Sequence, residues 1–272
     1  MMNKSKIEWC DFTWNPVTGC RHGCAYCYAA KQAHRFCGNV KINKGSDQLV
    51  EDPMSGNWYL KEPFRNDLGK VVPFPVGFEP CFREYTLPML AQKKKPANIF
   101  VCSMADLFGE WVPDAWIQKV FEACETAPWH RYIFLTKNPG RYNDLYEKDM
   151  MPKGTKSWNK WYGCTITRET DEFFWIDQDA YGIDHYGFLS IEPIMSDFPV
   201  SAYMKEYGVR WIILGAETGN RKDKVKPEKE WIQHIIDSCR ESGIKLFMKN
   251  NLRPYWDGEL IQEFPWRPLG QN

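Results

Sequence analysis

The stretch Gly19-Cys20-Arg21-His22-Gly23-Cys24-Ala25-Tyr26-Cys27-Tyr28 places three thiols on one short segment, with gaps of three residues and two residues between them. Soft thiolate ligands favour iron-sulfur clusters or zinc over magnesium or calcium. Three thiolates can ligate three irons of a cubane cluster, which leaves the fourth iron open to a small molecule. The spacing therefore predicts a metal centre on Cys20, Cys24 and Cys27.

Structural zinc is the main alternative for the same thiols. Most structural zinc sites have four Cys or His ligands, and His22, Cys10 or Cys37 could supply the fourth. No second Cys pair or Cys/His pair follows at zinc-finger spacing. The sequence therefore favours an iron-sulfur centre over zinc.

The other cysteines do not suggest disulfides. The ten cysteines are scattered and the chain begins without a secretory leader, so we expect reduced thiols and a cytoplasmic location. Four cysteines lie in apolar segments and are expected in the core: Cys102, Cys124, Cys164 and Cys239.

Length and charge limit the classes of protein that fit. A chain of 272 residues has the usual length of one α/β barrel, so we predict a single domain over 1–272. No run approaches the roughly twenty apolar residues of a membrane helix. The 35 basic and 35 acidic residues cancel, so no overall field favours nucleic acid or anionic lipid.

From residue 98 onward, short apolar runs alternate with segments of helical periodicity. This pattern is typical of βα units around a parallel sheet. Strands are predicted at 98–102, 132–135, 161–166, 187–191, 210–214 and 244–248, with helices at 113–127, 139–151 and 230–242.

The part of the chain before residue 98 is less regular. Residues 7–14 alternate like a strand, and 28–36 contain good helix formers, so the cysteines would lie between a strand and a helix. Residues 38–97 are rich in Pro and Gly. Because a structureless loop of that length is improbable in a compact domain, we predict an insertion that has its own short elements and covers one end of the fold.

Polar residues stand directly after the predicted strands. They are Asp106, Lys137, Thr165, Thr167, Glu192, Glu217 and Lys249. With Thr165 taken for its strand, the separations are 31, 28, 27, 25 and 32, close to the length of one βα unit. The C-terminal ends of strands in a parallel β/α barrel face one mouth. We therefore expect these side chains to converge on a polar pocket, where charged groups can fix a ligand.

Several motifs together resemble the phage Gp37/Gp68 family, a domain of unknown function similar to radical S-adenosylmethionine (SAM) enzymes. The resemblance covers 7–27 and nearly all of 98–251. It rests on Thr13-Trp14-Asn15-Pro16-Val17-Thr18-Gly19-Cys20, Cys24-Ala25-Tyr26-Cys27-Tyr28-Ala29, Ser103-Met104-Ala105-Asp106-Leu107-Phe108, Leu135-Thr136-Lys137, Ser190-Ile191-Glu192-Pro193 and Leu214-Gly215-Ala216-Glu217-Thr218-Gly219.

This resemblance implies a fold and a cofactor. The fold would be an α/β, radical SAM-type partial or nearly closed parallel (β/α) barrel. A [4Fe-4S] cluster on the three cysteines would bind SAM, cleave it and so generate a radical that abstracts hydrogen from substrate. Ser103 and Asp106 would approach the methionine end of SAM, and Thr165 or Thr167 its ribose or adenine.

The resemblance leaves the substrate open, and a nucleotide or nucleic-acid base is one candidate. Lys137, Glu192, Glu217 and Lys249 are the predicted substrate-facing catalytic residues. Flavodoxin or ferredoxin would be the electron donor, and a further partner protein remains open. The segments Thr165-Ile166-Thr167-Arg168 and Phe247-Met248-Lys249-Asn250-Asn251 depart from the family pattern. The competing functions are a non-catalytic, zinc-stabilised nucleic-acid-binding protein and an iron-sulfur electron-transfer module.

Overall fold

The structure is a computed structural model, and it describes residues 2–153, 159–168, 171, 186–197, 205, 208–267 and 269. The chain forms two compact units, 1–132 and 133–272. Each unit is described by itself below. The prediction of one domain over the whole chain stays a prediction.

Short strands and helices alternate along both units. The strands are β1 (Met2–Lys4), β2 (Phe12–Trp14), β3 (Val17–Thr18), β4 (Val50–Glu51), β5 (Trp58–Leu60), β6 (Cys81–Arg83), β7 (Asn98–Val101), β8 (Arg131–Thr136), β9 (Lys160–Ile166), β10 (Tyr186–Ile191), β11 (Val209–Leu214) and β12 (Lys245–Met248). The helices are α1 (Tyr28–Arg35), α2 (Val40–Lys44), α3 (Met89–Gln92), α4 (Asp114–Glu125), α5 (Gly140–Glu147) and α6 (Lys229–Ser242), with 3-10 turns at Glu84–Thr86 and Asn250–Tyr255.

The first unit begins with a hairpin that the sequence did not predict. Strand β1 pairs antiparallel with β2, and β2 pairs parallel with β7. The strand predicted over 7–14 is wrong in its first half, because the chain reverses direction over 5–11. Ser5 donates its backbone N–H to the Asp11 carbonyl at 2.9 Å, and its hydroxyl accepts from the Ile7 N–H at 2.9 Å.

The range predicted as an insertion contributes three strands, β4, β5 and β6, to a small sheet whose fourth strand, β3, lies before the cysteine segment. Its strands lie in the order β3-β6-β5-β4, with β5 and β6 parallel and the two outer pairs antiparallel. A separate apolar cluster packs against this sheet and includes Leu49, Trp58, Leu60, Phe64, Val76 and Cys81. Burial of these side chains explains why so irregular a sequence forms a defined structure.

The second unit is an α/β structure with a parallel sheet. Strand β9 neighbours β8, and the pairs β9–β10, β10–β11 and β11–β12 are all parallel. These strands are buried on both faces, which is why they read as continuous apolar runs rather than alternating ones. Cys164 and Cys239 are buried in this core, as the sequence predicts.

Helix α6 shows how the sequence sets the boundaries. Ile232, Ile235, Ile236 and Cys239 are buried at helical spacing, which is the pattern of an amphipathic helix packed on a core. Gly243 ends the helix with a φ of 67°, a left-handed conformation that favours glycine. The predicted helix 230–242 is therefore confirmed almost to the residue.

Helix α5 is shorter than the predicted 139–151. Asp149 has a φ of 58°. Its N–H donates to the Tyr146 carbonyl at 2.9 Å, and the Met150 N–H donates to the Leu145 carbonyl at 2.8 Å. This pair of bonds is a Schellman motif. Asp and Asn tolerate the left-handed conformation better than most residues, so the helix ends here although no glycine marks the position.

No helix within the described ranges is long and apolar enough to cross a membrane.

The close packing of β9 and β10 gives a stability prediction. A Cβ atom at Gly163 would lie 2.2 Å from the Phe188 ring, so Gly163→Ala should lower the free energy of unfolding by about 1–3 kcal/mol through overpacking. A Cβ at Gly140 would meet nothing within 4 Å. Gly140→Ala should therefore change stability by less than about 1 kcal/mol and in the stabilising direction. Urea unfolding of both variants checks the difference, and equal losses would contradict it.

Candidate metal centre and strand-end polar groups

The segment 19–27, called the Cys loop, starts at a backbone position that only glycine fits. Gly19 has a φ of 88°, and a Cβ there would lie 2.0 Å from the Glu79 carbonyl oxygen. Its N–H donates to the Met104 carbonyl at 2.9 Å, and the Cys20 N–H donates to the Phe78 carbonyl at 3.1 Å. The first thiol is therefore carried on backbone that is hydrogen-bonded on two sides.

The far end of the Cys loop is joined to a helix. The Cys27 N–H donates to the Cys24 carbonyl at 3.0 Å, so the last two cysteines share one turn. The Cys27 sulfur accepts from the Ala30 N–H at 3.4 Å and caps α1. The N-terminal end of a helix favours negative charge, and a thiolate at this position suits that preference.

The three thiols are free and half-buried. Burial is the main cause that raises the pKa of Cys20 to about 12, and negative charge on Cys24 or Cys27 contributes in the same direction. Asp106 acts on it in the same direction, while a hydrogen bond from the His22 backbone opposes the rise. The thiols therefore lie near enough to influence one another, and a metal that binds Cys20 must displace its proton.

The donor chemistry of the Cys loop fits an iron-sulfur cluster. Three thiols stand on one loop with a helix N-terminus at its end, and sulfur is the ligand that such clusters use. Within the described part of the chain, no group of three or more His, Cys, Asp or Glu side chains is arranged to hold a metal ion. The cluster ligands Cys20, Cys24 and Cys27 therefore stay a prediction.

The proposed extra zinc ligands have other partners. The Cys10 thiol donates to the Ser5 hydroxyl at 3.2 Å, and the Cys37 thiol donates to the His34 carbonyl at 3.1 Å. His22 Nε2 lies 2.7 Å from a carboxylate oxygen of Asp106. No observation favours one of these three as a fourth ligand.

The segment 102–113, between β7 and α4, lies beside the Cys loop. The Asn15 side-chain oxygen accepts from the Met104 N–H at 2.9 Å and from the Ser103 hydroxyl at 3.2 Å. The Tyr28 hydroxyl donates to the Ser103 carbonyl at 2.6 Å. The structure thus brings Ser103, a predicted SAM contact, to the start of α1.

Asp106 also lies beside the Cys loop, but its carboxylate is engaged there. Oδ2 contacts His22, and Oδ1 accepts from the Phe108 N–H at 3.0 Å. The sequence had suggested His22 only as a possible zinc ligand. Nothing in the spacing of the motif predicts its contact with Asp106, because the two residues are 84 positions apart.

In the second unit, Glu192 and Lys249 form an ion pair at 2.5 Å. The Ser190 hydroxyl donates to the other Glu192 oxygen at 3.2 Å. Gly215 makes room for the pair, because a Cβ there would lie 2.8 Å from the Glu192 oxygen and 3.2 Å from Lys249 Cδ. Two of the predicted catalytic residues are therefore in direct contact.

Glu217 forms a different pair. Its carboxylate is 1% exposed and accepts two hydrogen bonds from Arg221, at Nε and at a terminal nitrogen, both at 2.8 Å. The hydrogen bond to Glu217 raises the pKa of Arg221. Arg221 is therefore a partner of a predicted site residue that the strand-end pattern does not predict.

Among the remaining strand-end groups, Thr167 contacts the carboxylate of Asp171. This carboxylate accepts from the Thr167 N–H at 2.6 Å, from the Thr167 hydroxyl at 2.8 Å and from the Arg168 N–H at 3.1 Å. Burial alone would raise the pKa of Asp171, but these hydrogen bonds and the charge of Lys137 lower it. Thr165 lies half-buried near the end of β9.

Thus, the structure groups the predicted residues in pairs. Glu192 contacts Lys249, Thr167 contacts Asp171 with Lys137 near enough to influence it, and Glu217 contacts Arg221. One shared pocket for Lys137, Glu192, Glu217 and Lys249 stays a prediction.

Comparison with known proteins gives a family but no reaction. A family model described as a protein of unknown function (DUF5131) matches residues 4–256. No curated protein matches the chain. Among solved structures, the chain is similar to spore photoproduct lyase complexed with dinucleoside spore photoproduct, with 11% identity and a TM-score of 0.45 over 94% of this chain and 79% of the other.

The lowered pKa of Asp171 gives a pH prediction. A carboxylate whose pKa falls on folding stabilises the native state above its unfolded pKa of about 4, and this contribution is lost as pH falls through the folded value. Asp171→Asn should therefore reduce the free energy of unfolding at neutral pH, and the difference from wild type should shrink in acid. Denaturant unfolding across the pH range measures this. A difference that stays constant into acid would contradict it.

Proposed function

The chain belongs to the DUF5131 family of proteins of unknown function, and we propose that it is a radical SAM enzyme. The observation that carries this proposal is the Cys loop, with three half-buried free thiols between a hydrogen-bonded glycine and a helix N-terminus. Cys20, Cys24 and Cys27 would hold a [4Fe-4S] cluster. Bound there with SAM, the cluster would supply the electron for reductive cleavage of SAM and hence for hydrogen abstraction from substrate.

Residues beside the Cys loop would hold the cosubstrate. Ser103 lies next to the start of α1, and its hydroxyl and carbonyl are already oriented by Asn15 and Tyr28. We assign it to the methionine end of SAM. Thr165 and Thr167 are proposed for the ribose or adenine, and the hydrogen bonds from Thr167 to Asp171 would hold that side chain in one orientation.

The charged strand-end groups would orient the substrate. Radical abstraction requires a target carbon held close to the reactive group, so positioning is the main task of the protein. Glu192 and Lys249 offer a paired acid and base, and Glu217 with Arg221 offers a second pair. With Lys137, these residues suit a polar substrate, for which a nucleotide or nucleic-acid base remains one candidate.

We also propose that the parallel sheet belongs to a partial or nearly closed (β/α) barrel. Parallel pairing in the second unit, with α5 between β8 and β9 and α6 between β11 and β12, supports this arrangement. In such a barrel the active site lies at the C-terminal ends of the strands. Lys137, Glu192 and Lys249 each directly follow a strand of the second unit, β8, β10 and β12, which supports this proposal.

Anaerobic reconstitution tests the proposed cofactors. The protein should bind iron and sulfide in equal amounts, close to four of each per chain as a cubane requires, and form 5′-deoxyadenosine from SAM once reduced. Cys24→Ala should abolish both results, whereas Cys37→Ala, outside the Cys loop, should preserve them. Tightly bound zinc without sulfide would instead support the structural-zinc alternative. A cluster without SAM cleavage would support an electron-transfer module.

We further propose that an acidic electron carrier such as flavodoxin or ferredoxin docks on α1. Residues 12–46 contain five Lys and Arg residues and no Asp or Glu, although the whole chain is neutral. Lys31 and Arg35 are exposed and lie one turn apart on α1, which begins directly after Cys27. Positive charge at this position would attract an acidic partner to the cluster side of the first unit.

Charge reversal on α1 tests the docking proposal. Lys31→Glu with Arg35→Glu should raise the KM for reduced flavodoxin by about tenfold or more at low salt, because like charges slow association. Lys94→Glu with Lys95→Glu makes the same change in net charge on another exposed stretch and should have little effect. Activity with a small chemical reductant should be unchanged in both variants. Equal effects of the two double variants would contradict docking on α1.

A further inference from the structure

The two side chains that follow Cys20 both contact neighbouring segments of the first unit. His22 Nε2 lies 2.7 Å from Asp106 Oδ2. The His22 ring also meets the Trp111 ring edge-on, with centroids 4.8 Å apart and planes at 79°. His22 is therefore held by one polar contact and one aromatic contact, and both partners lie in segment 102–113.

The polar contact is made to a buried carboxylate. The Asp106 side chain is 7% exposed. A buried carboxylate needs hydrogen-bond donors, because transfer out of water without them is costly. Its second oxygen accepts from the Phe108 N–H at 3.0 Å, which fixes the direction of the group, so that Oδ2 is aimed at the His22 ring.

Arg21 makes an independent contact with the insertion. A terminal nitrogen of Arg21 donates to the Asn57 side-chain oxygen at 3.0 Å. Asn57 is fully buried, and its side-chain nitrogen donates to the Trp111 carbonyl at 2.7 Å. The contacts of Arg21 and His22 thus meet at Trp111, which connects the insertion with segment 102–113.

The position after these residues explains why the loop needs such support. Gly23 has a φ of 68°, and a Cβ there would meet nothing within 4 Å. Glycine adopts left-handed and right-handed conformations about equally readily, and the space that a side chain would occupy at Gly23 is open. The conformation between Cys20 and Cys24 therefore depends on contacts made by the flanking side chains.

We propose that His22 and Asp106, supported by Trp111 and by the Arg21–Asn57 contact, form a brace that sets the relative positions of the thiols of Cys20 and Cys24. In this proposal Asp106 is a positioning residue that acts through His22, which replaces the role at the methionine end of SAM expected from the sequence. The inference rests on the proposed function in one respect, since it treats these thiols as cluster ligands. The brace itself is a property of the chain without cofactor.

Residue-resolved alkylation of the apo-protein tests the brace without any cofactor. Peptide mass spectrometry gives the rate of modification of each cysteine by iodoacetamide. In His22→Ala and in Asp106→Ala, the rate at half-buried Cys20 should rise by about tenfold, as expected when a charge-assisted hydrogen bond that holds a closed loop is removed. Cys37, which is half-buried outside the Cys loop, should react as in wild type.

The same experiment contains its own control for folding. Cys102 and Cys124 are buried in the core of the first unit, and they should stay unreactive in every variant that folds. His22→Gln retains an N–H donor at about the distance of Nε2 and should restore the slow rate at Cys20. Rescue of this kind distinguishes a specific brace from a general loss of packing.

The reconstituted protein gives a second readout. The electron paramagnetic resonance spectrum of the reduced cluster should broaden or shift in His22→Ala and return toward wild type in His22→Gln. Unchanged Cys20 reactivity in both alanine variants, with an unchanged spectrum, would overturn the brace. A faster Cys20 reaction in a protein that binds no cluster would keep the brace and contradict the proposed radical SAM function.

Discussion

In the brace that we propose, the contact between His22 and the buried Asp106 carboxylate is the constraint on which the conformation of the Cys loop depends. Backbone hydrogen bonds hold the two ends of the Cys loop, at Gly19 and Cys20 and at Cys27, but Gly23 between Cys20 and Cys24 can adopt several conformations. Asp106 limits these conformations because a carboxylate that is 7% exposed must keep its donors. Segment 102–113, which carries Asp106, begins directly after β7 with a left-handed residue, Cys102, whose φ is 61°.

In the same proposal, the insertion has a structural role, because it supports the Cys loop through Asn57. Asn57 lies one residue before β5 in the small sheet, and it links Arg21 to the Trp111 carbonyl. The sheet has its own apolar cluster, so Asn57 is presented on a packed support rather than on a loose loop. In the second unit, Gly215 has a comparable effect, because the absence of its side chain leaves room for the ion pair of Glu192 and Lys249.

The sequence predicted the regular parts of this fold well. Apolar runs predict strands β9 to β12, and helical periodicity predicts helix α6. The strands are predictable because strands buried on both faces of a parallel sheet consist of nearly continuous apolar residues. The alternation over 7–14 predicts one strand, but only 12–14 form it, because residues 5–11 form the turn of the hairpin that joins β1 to β2. Helix α5 is shorter than predicted because Asp149, just beyond its end, has a left-handed conformation. The sequence does not indicate this helix end, since the residue is not glycine. The match to a family of unknown function agrees with the domain of unknown function that the motifs suggest, whereas membership of the phage Gp37/Gp68 family stays a prediction.

The candidate site was predictable in its residue types but not in its pairings. Regular spacing identified Glu192, Glu217 and Lys249, since one polar residue follows each strand. It could not identify Arg221 as the partner of Glu217, or His22 as the partner of Asp106, because such contacts depend on how loops fold over one another. Most such contacts are made by residues in the loops between parallel strands. Loop sequences have no periodicity from which these contacts could be predicted.

Mössbauer spectroscopy of protein reconstituted with isotopically enriched iron tests the central claim most directly. Three thiol ligands leave one iron of a cubane cluster without a protein ligand. Addition of SAM should therefore change the signal of about one quarter of the iron and leave the remainder as it was. A spectrum in which SAM changes no iron, or one that shows iron bound only as isolated ions, would contradict the account.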